Sequence, residues 1–237
     1  MAIINIKYIV SFIVFILLYY CTSNKILIPG SINNDPQSRT KYIEVLNNQY
    51  PDSFALTQRI LLNVAGKQYD FIGQLTMNRG TAFRAVAFGE MGGQFIDLLA
   101  TGDSVSILAN PTNLPEKPIL QGVAEDIKQL FYYHDIRDLD YSDLDSSYVK
   151  ISINTSEDDQ LIYLININNK EIYSLNYFFG NKLIRSVEFL EYKKQDGWDR
   201  EIPSYIKLTN HQWHYSLKIN LLKFSTRYNA DKVFNIN

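Results

Sequence analysis

ALTQRILLNVAGKQYDFIGQLTM, residues Ala55 to Met77, is the stretch whose reading decides the fold. In its first half Leu56, Ile60, Leu62 and Val64 fall on one face with Gln58, while Thr57, Arg59 and Asn63 fall on the other. That period of two marks a strand with one apolar face and one wet face. Gly66 breaks the run and a second strand follows from Lys67. A connection this short can join only antiparallel neighbours.

Working outward, three more segments share the pattern: Thr81 to Gly89, Gln94 to Ala100 and Ser104 to Asn110. They are cut at Asn78-Arg79-Gly80, Gly92-Gly93 and Gly102-Asp103, so the whole reads as a five-stranded meander. In the third strand Ala82, Arg84, Val86 and Phe88 share one face and Phe83, Ala85, Ala87 and Gly89 the other. Apolar residues on both faces place it centrally. The small Ala85, Ala87 and Gly89 leave room for a helix or a ligand to come close.

Upstream, Asp35-Pro36 is a helix start, a capping carboxylate followed by proline at the first helical position. Tyr42, Val45, Leu46 and Gln49 then recur at helical spacing until Tyr50-Pro51. Downstream, the three prolines of Pro111 to Pro118 give way to Ile119 to His134. There Leu120, Val123, Ile127, Leu130 and Phe131 form a stripe, and Glu125, Asp126, Lys128 and Gln129 are expected to face solvent. The stripe needs a surface to cover, and the apolar face of the meander is the nearest.

Asp135 to Ser147 reads as an acidic, solvated connection. A calcium loop starting at Asp138 would put Asp143 where glycine is required and Val149 where the closing glutamate is required, so the motif fails. Six further strands are expected: Tyr148 to Asn154, Gln160 to Asn168, Glu171 to Phe179, Lys182 to Lys193, Arg200 to Thr209 and Trp213 to Phe224. Arg227 to Asn237 reads as a frayed tail. The predicted class is mainly β (α+β): a strongly curved antiparallel sheet, or incomplete β-barrel, of about eleven strands with helices across its mouth.

The N-terminus carries a different signal. Lys7 precedes thirteen uncharged residues, Tyr8 to Tyr20, and then comes Cys21, the only cysteine in 237 residues. That length suits a secretory signal and is short for a membrane span. Leu18-Tyr19-Tyr20-Cys21 resembles a bacterial lipoprotein processing site, although Tyr20 stands where a small residue is usual. The preferred division is a signal peptide over residues 1–20, a lipidated (palmitate-type) Cys21 with a tether over 21–34, one domain over 35–224, and the tail. An uncleaved anchor and plain secretion are the alternatives. The lipoprotein resemblance, with Thr22 and Ser23 in place of an aspartate after Cys21, points to the outer membrane, facing the periplasm.

The near-balanced charge of −2 gives no footprint for nucleic acid. His211 and His214 make a poor metal pair, His134 stands apart, and neither a nucleophile elbow nor a phosphate-cradling loop is present. No catalytic residue, metal or cofactor is expected.

The order of elements over Phe54 to Phe224 resembles the LolA/LolB-like fold of bacterial lipoprotein-localisation carriers and receptors, and of uncharacterised envelope lipoproteins that share it. The resemblance is carried by Tyr69-Asp70-Phe71-Ile72-Gly73 and by Phe83 to Leu98. It implies a non-enzymatic protein whose partners are acyl chains or lipoproteins, together with the membrane through its anchor. Leu62, Phe71, Arg84, Val86, Phe88, Met91, Val123, Ile127, Leu130 and Phe131 are the candidate cavity residues that follow. The alternative is a structural envelope module with a filled core that docks a protein partner.

Overall fold

A helix, five strands, a second helix and seven strands follow one another along the chain in the computed structural model, which describes residues 36–89, 92–110, 119–133, 139–228 and 234. All belong to one compact unit. Helix α1 is Pro36–Asn47 and α2 is Gln121–Phe131. The first five strands are β1 Ser53–Val64, β2 Lys67–Asn78, β3 Ala82–Phe88, β4 Gln94–Thr101 and β5 Ser104–Ala109. Beyond α2 come β6 Leu139–Asp143, β7 Tyr148–Asn154, β8 Asp159–Asn166, β9 Glu171–Phe179, β10 Lys182–Lys194, β11 Glu201–Asn210 and β12 Tyr215–Ser225.

The strands form one antiparallel sheet in the order β5-β4-β3-β2-β1-β12-β11-β10-β9-β8-β7-β6. Each half is an uninterrupted meander, and the halves are stitched where β1 pairs with β12, from Ala55 opposite Ser225 to Val64 opposite Tyr215. The sheet is not closed, since β5 and β6 are its two edges. The β1–β2 loop is only Ala65 and Gly66, both at positive φ, the backbone that a two-residue hairpin turn demands.

The count is twelve strands, not about eleven. The extra one, β6, lies inside the segment expected to be a solvated acidic loop. Leu139 and Tyr141 are buried, alternate with exposed Asp140 and pair with Ile153 and Ile151 of β7. Its aspartates sit on an edge strand, where charge blocks further pairing. Composition masked the period. Of the tail residues that are described, the Tyr228 hydroxyl donates to the carbonyl of Met77 at 2.7 Å and its ring meets Phe234.

Both helices lie on the same face as the core. Tyr42 of α1 meets the edge of Tyr141 at 5.1 Å between ring centres, and Gln49, just past its end, donates to the Tyr192 hydroxyl. Phe131, the last residue of α2, sits against Tyr50 and Phe54 at 5.0 and 5.7 Å. Asp35, the expected cap of α1, lies outside the described residues.

Candidate functional site

The floor of the site is set by strand register. One row across the meander runs Gln58, Gly73, Ala87 and Ile96, and the next runs Leu56, Leu75, Ala85 and Leu98. Gly73, Ala85 and Ala87 carry almost no side chain, so the floor dips there. The dip is shaped to its neighbours, because a Cβ on Gly73 would lie 2.6 Å from Ile60 Cδ1 and could not be added without displacement.

Val123 and Ile127 of α2 roof this dip, leaving an apolar cavity of about 70 Å³ walled also by Leu62, Phe71, Leu217 and Ile219. Five sequence-predicted residues, Leu62, Phe71, Val86, Val123 and Ile127, therefore border one space. Leu130 is half-buried against the core and Phe131 belongs to the aromatic cluster with Tyr50 and Phe54. Arg84 and Phe88 do not join the site. In β3 their side chains alternate to the opposite face, and neither borders the cavity, whereas Val86 between them does. Arg84 is thus not an inward-facing cavity charge. It forms a two-pronged pair with buried Asp97, Nε to Oδ1 at 3.0 Å and Nη2 to Oδ2 at 2.7 Å, which Gln94 completes. That pairing raises the pKa of the guanidinium further. Met91 and Cys21 lie outside the described residues.

Two buried polar constellations fix the helices, and neither was predicted. The first is Arg79, in the β2–β3 turn. Its Nε donates to the carbonyl of Phe131 at 2.6 Å and its Nη1 to those of Asn47 and Tyr50 at 2.6 and 2.8 Å. Phe131 and Asn47 are the last residues of α2 and α1, whose terminal carbonyls have no partner within their own helices. One cation closes both ends, the charge favoured at the negative pole of a helix. Tyr133 stacks on the guanidinium at 4.1 Å, and burial pulls the Arg79 pKa below its ordinary value. A turn arginine gives no sequence signal for this role.

The second constellation corrects the reading of α2. Asp126 does not face solvent; it is 1% exposed. Its carboxylate pairs with Arg185 Nε, accepts the Tyr215 hydroxyl and is reached by Asn210 Nδ2. Glu125 shares the same guanidinium at 2.8 Å, and Tyr177 covers it. Burial raises the Asp126 carboxyl to about 6, against the opposing pull of Arg185, Tyr215 and Asn210. Strands β10, β11 and β12 each contribute one of these partners. Beside them Gly122 lets α2 approach, since a Cβ there would stand 2.9 Å from the Trp213 ring.

Among the described residues no three His, Cys, Asp or Glu side chains gather as a metal-holding group, and no helix is long and apolar enough to cross a membrane. An open antiparallel sheet with two short helices on one face is a LolA-like fold. The chain superposes over 84% of its length on 97% of a LolA superfamily protein from Nitrosomonas europaea, with a TM-score of 0.56 and 13% identity. A DUF1329 family protein from Desulfovibrio piger matches over 85% of this chain and 98% of its own, with a TM-score of 0.54 and 9% identity. No protein-family model and no curated protein matches the sequence. The expected resemblance therefore holds at the level of the fold.

Proposed function

We propose that this protein is a non-enzymatic carrier or receptor of the bacterial envelope, anchored through a lipid on Cys21, that holds an acyl chain of a lipid or lipoprotein between its open sheet and α2. The observation that carries the reading is the apolar cavity roofed by Val123 and Ile127 over Gly73, Ala85 and Ala87. At about 70 Å³ it is well below the ~300 Å³ at which ligand sites begin, so α2 must lift for a chain to enter. The LolA-like fold supports the same reading, and so does the secretory-type N-terminus.

Native mass spectrometry of the chain purified from a bacterial envelope tests the reading. The expected result is lipid or acylated peptide at near-unit stoichiometry, lost in Ile127→Glu, which puts a charge into the apolar roof. A bare, folded protein that also takes up no fluorescent fatty acid would sink it. The mass of the N-terminus checks the anchor: a chain beginning at acylated Cys21 is expected, and Cys21→Ala should leave it uncleaved.

The small cavity volume favours one second reading, a docking module with a nearly filled core. It predicts no bound lipid and capture of an envelope protein instead.

A further inference from the structure

We propose that the polar cleft between α1 and the β8–β9 turn is a binding site for a small zwitterion, a molecule carrying an ammonium and an anionic group on a short apolar middle. A free dipeptide and the phosphoethanolamine head of a lipid share that chemistry. The proposal stands apart from the carrier reading, because no residue lines both this cleft and the apolar cavity beneath α2.

The cleft holds about 360 Å³, within the range of small-molecule sites. Lys41, Glu44 and Val45 contribute one wall, at the three- and four-residue spacing that α1 brings onto one face. The β8–β9 turn and the start of β9 supply Lys170, Glu171 and Ile172, while Arg200 and Glu201 lead into β11. The deeper lining is fixed by hydrogen bonds. Gln49 Nε2 donates to the Tyr192 hydroxyl at 2.9 Å, which donates in turn to the carbonyl of Ile172 at 2.7 Å. Burial holds the Tyr192 phenol well above its usual pKa, so this part of the cleft stays neutral.

The charges around it decide the ligand. Lys41, Lys170 and Arg200 stand against Glu44, Glu171 and Glu201, an even balance. Of these, Arg200 and Glu44 close on each other at 3.2 Å. Among the described residues Lys41, Lys170 and Glu201 enter no ion pair, and Glu171 accepts only from Asn169 Nδ2 at 3.4 Å. Both signs are therefore left unspent around one cleft. Lys170 is also held there at a cost. Its φ of 58° is a left-handed backbone that asparagine takes more readily, and Asn168 and Asn169 directly precede it.

A simple anion would satisfy the lysines but meet the glutamates with like charge, and a simple cation would do the reverse. A zwitterion answers both. Its ammonium donates to Glu171 and Glu201 and its anionic group accepts from Lys41 and Lys170, in charge-assisted hydrogen bonds that are roughly twice as strong as neutral ones. Val45 and Ile172 offer the apolar surface that the middle of the molecule needs.

Isothermal titration calorimetry of the full chain tests the site with alanylleucine and glycerophosphoethanolamine, each beside its N-acetyl form, and with alanylleucine amide. Whichever zwitterion binds more tightly names the source, peptide or lipid head. It should lose about tenfold on N-acetylation, the value of one charge-assisted hydrogen bond. Lys170→Asn should keep the fold, since asparagine accepts the left-handed backbone. This variant should weaken that zwitterion about tenfold and leave alanylleucine amide, which lacks the anionic group, unchanged. Glu201→Gln should weaken the zwitterion and leave its N-acetyl form unchanged. Both positions are exposed, and Lys41→Gln serves as a second variant for Lys170. No heat from either zwitterion, N-acetyl forms that bind as tightly as their parents, or variants that weaken every ligand alike would overturn the proposal and leave the carrier reading untouched.

Discussion

Arg79→Leu is expected to cost about 3–5 kcal/mol of stability and to loosen both helices at once. The guanidinium makes three hydrogen bonds to carbonyls, of a kind worth about 1.5–3 kcal/mol each when one partner is charged. The energy of burying the cation offsets part of that sum, so the net falls below it. Leucine recovers some apolar contact with Tyr133 but leaves the carbonyls of Asn47, Tyr50 and Phe131 without a donor. Urea unfolding should move to a lower midpoint at unchanged slope. Hydrogen exchange should quicken across α1 and α2 before it does so in the strands. Arg79→Lys should recover only part of the loss, because a single ammonium cannot reach three carbonyls in the same planar geometry. A loss below about 1 kcal/mol with unchanged helix exchange would refute the clamp.

Asp126→Ala should be as damaging, at about 3–5 kcal/mol, because it strands a buried guanidinium with only exposed Glu125 as a carboxylate partner. Replacing both partners, Asp126→Leu with Arg185→Met, should cost much less than the sum of the single changes, since no buried charge is then left over. The pH dependence has a definite sign. The Asp126 carboxyl rises from its usual 3.8 to about 6 on folding, so the folded state holds the proton more tightly. Its contribution is fully present below about pH 4 and is lost as the pH climbs through 6, a swing of about 3 kcal/mol. In Asp126→Asn this slope between pH 4 and 7 should vanish. A variant that keeps the wild-type slope would show that another group is responsible.

Most strands were legible because their residues obey one simple rule, a buried and an exposed side in alternation. Tyr148–Asn154 and Glu171–Phe179 were bounded to the residue. The site was legible only where it followed the same rule. Leu62, Phe71, Val123 and Ile127 are apolar residues on apolar faces, and they converge. Arg84 broke the rule in appearance only, because its face of β3 is not the helix-covered one. Asp126 was misread for the converse reason. A carboxylate on a helix is ordinarily wet, and only the distant Arg185, Asn210 and Tyr215, brought up by three other strands, make its burial tolerable. Arg79 was invisible, since its partners are backbone atoms and every sequence has those.

The seam between β1 and β12 has a consequence for how the chain is made. Each wing of the sheet is a meander of neighbouring hairpins and can form as soon as its own residues leave the ribosome, but β1 has on one side only β2 until the last strand arrives. Ala55 and Ser225 must find one another across nearly the whole domain, a slow closure compared with any hairpin. During that interval an open edge runs through the middle of the future sheet, the kind of surface to which chaperones bind. Synthesis of this protein therefore depends on that edge being shielded until its final strand is in place.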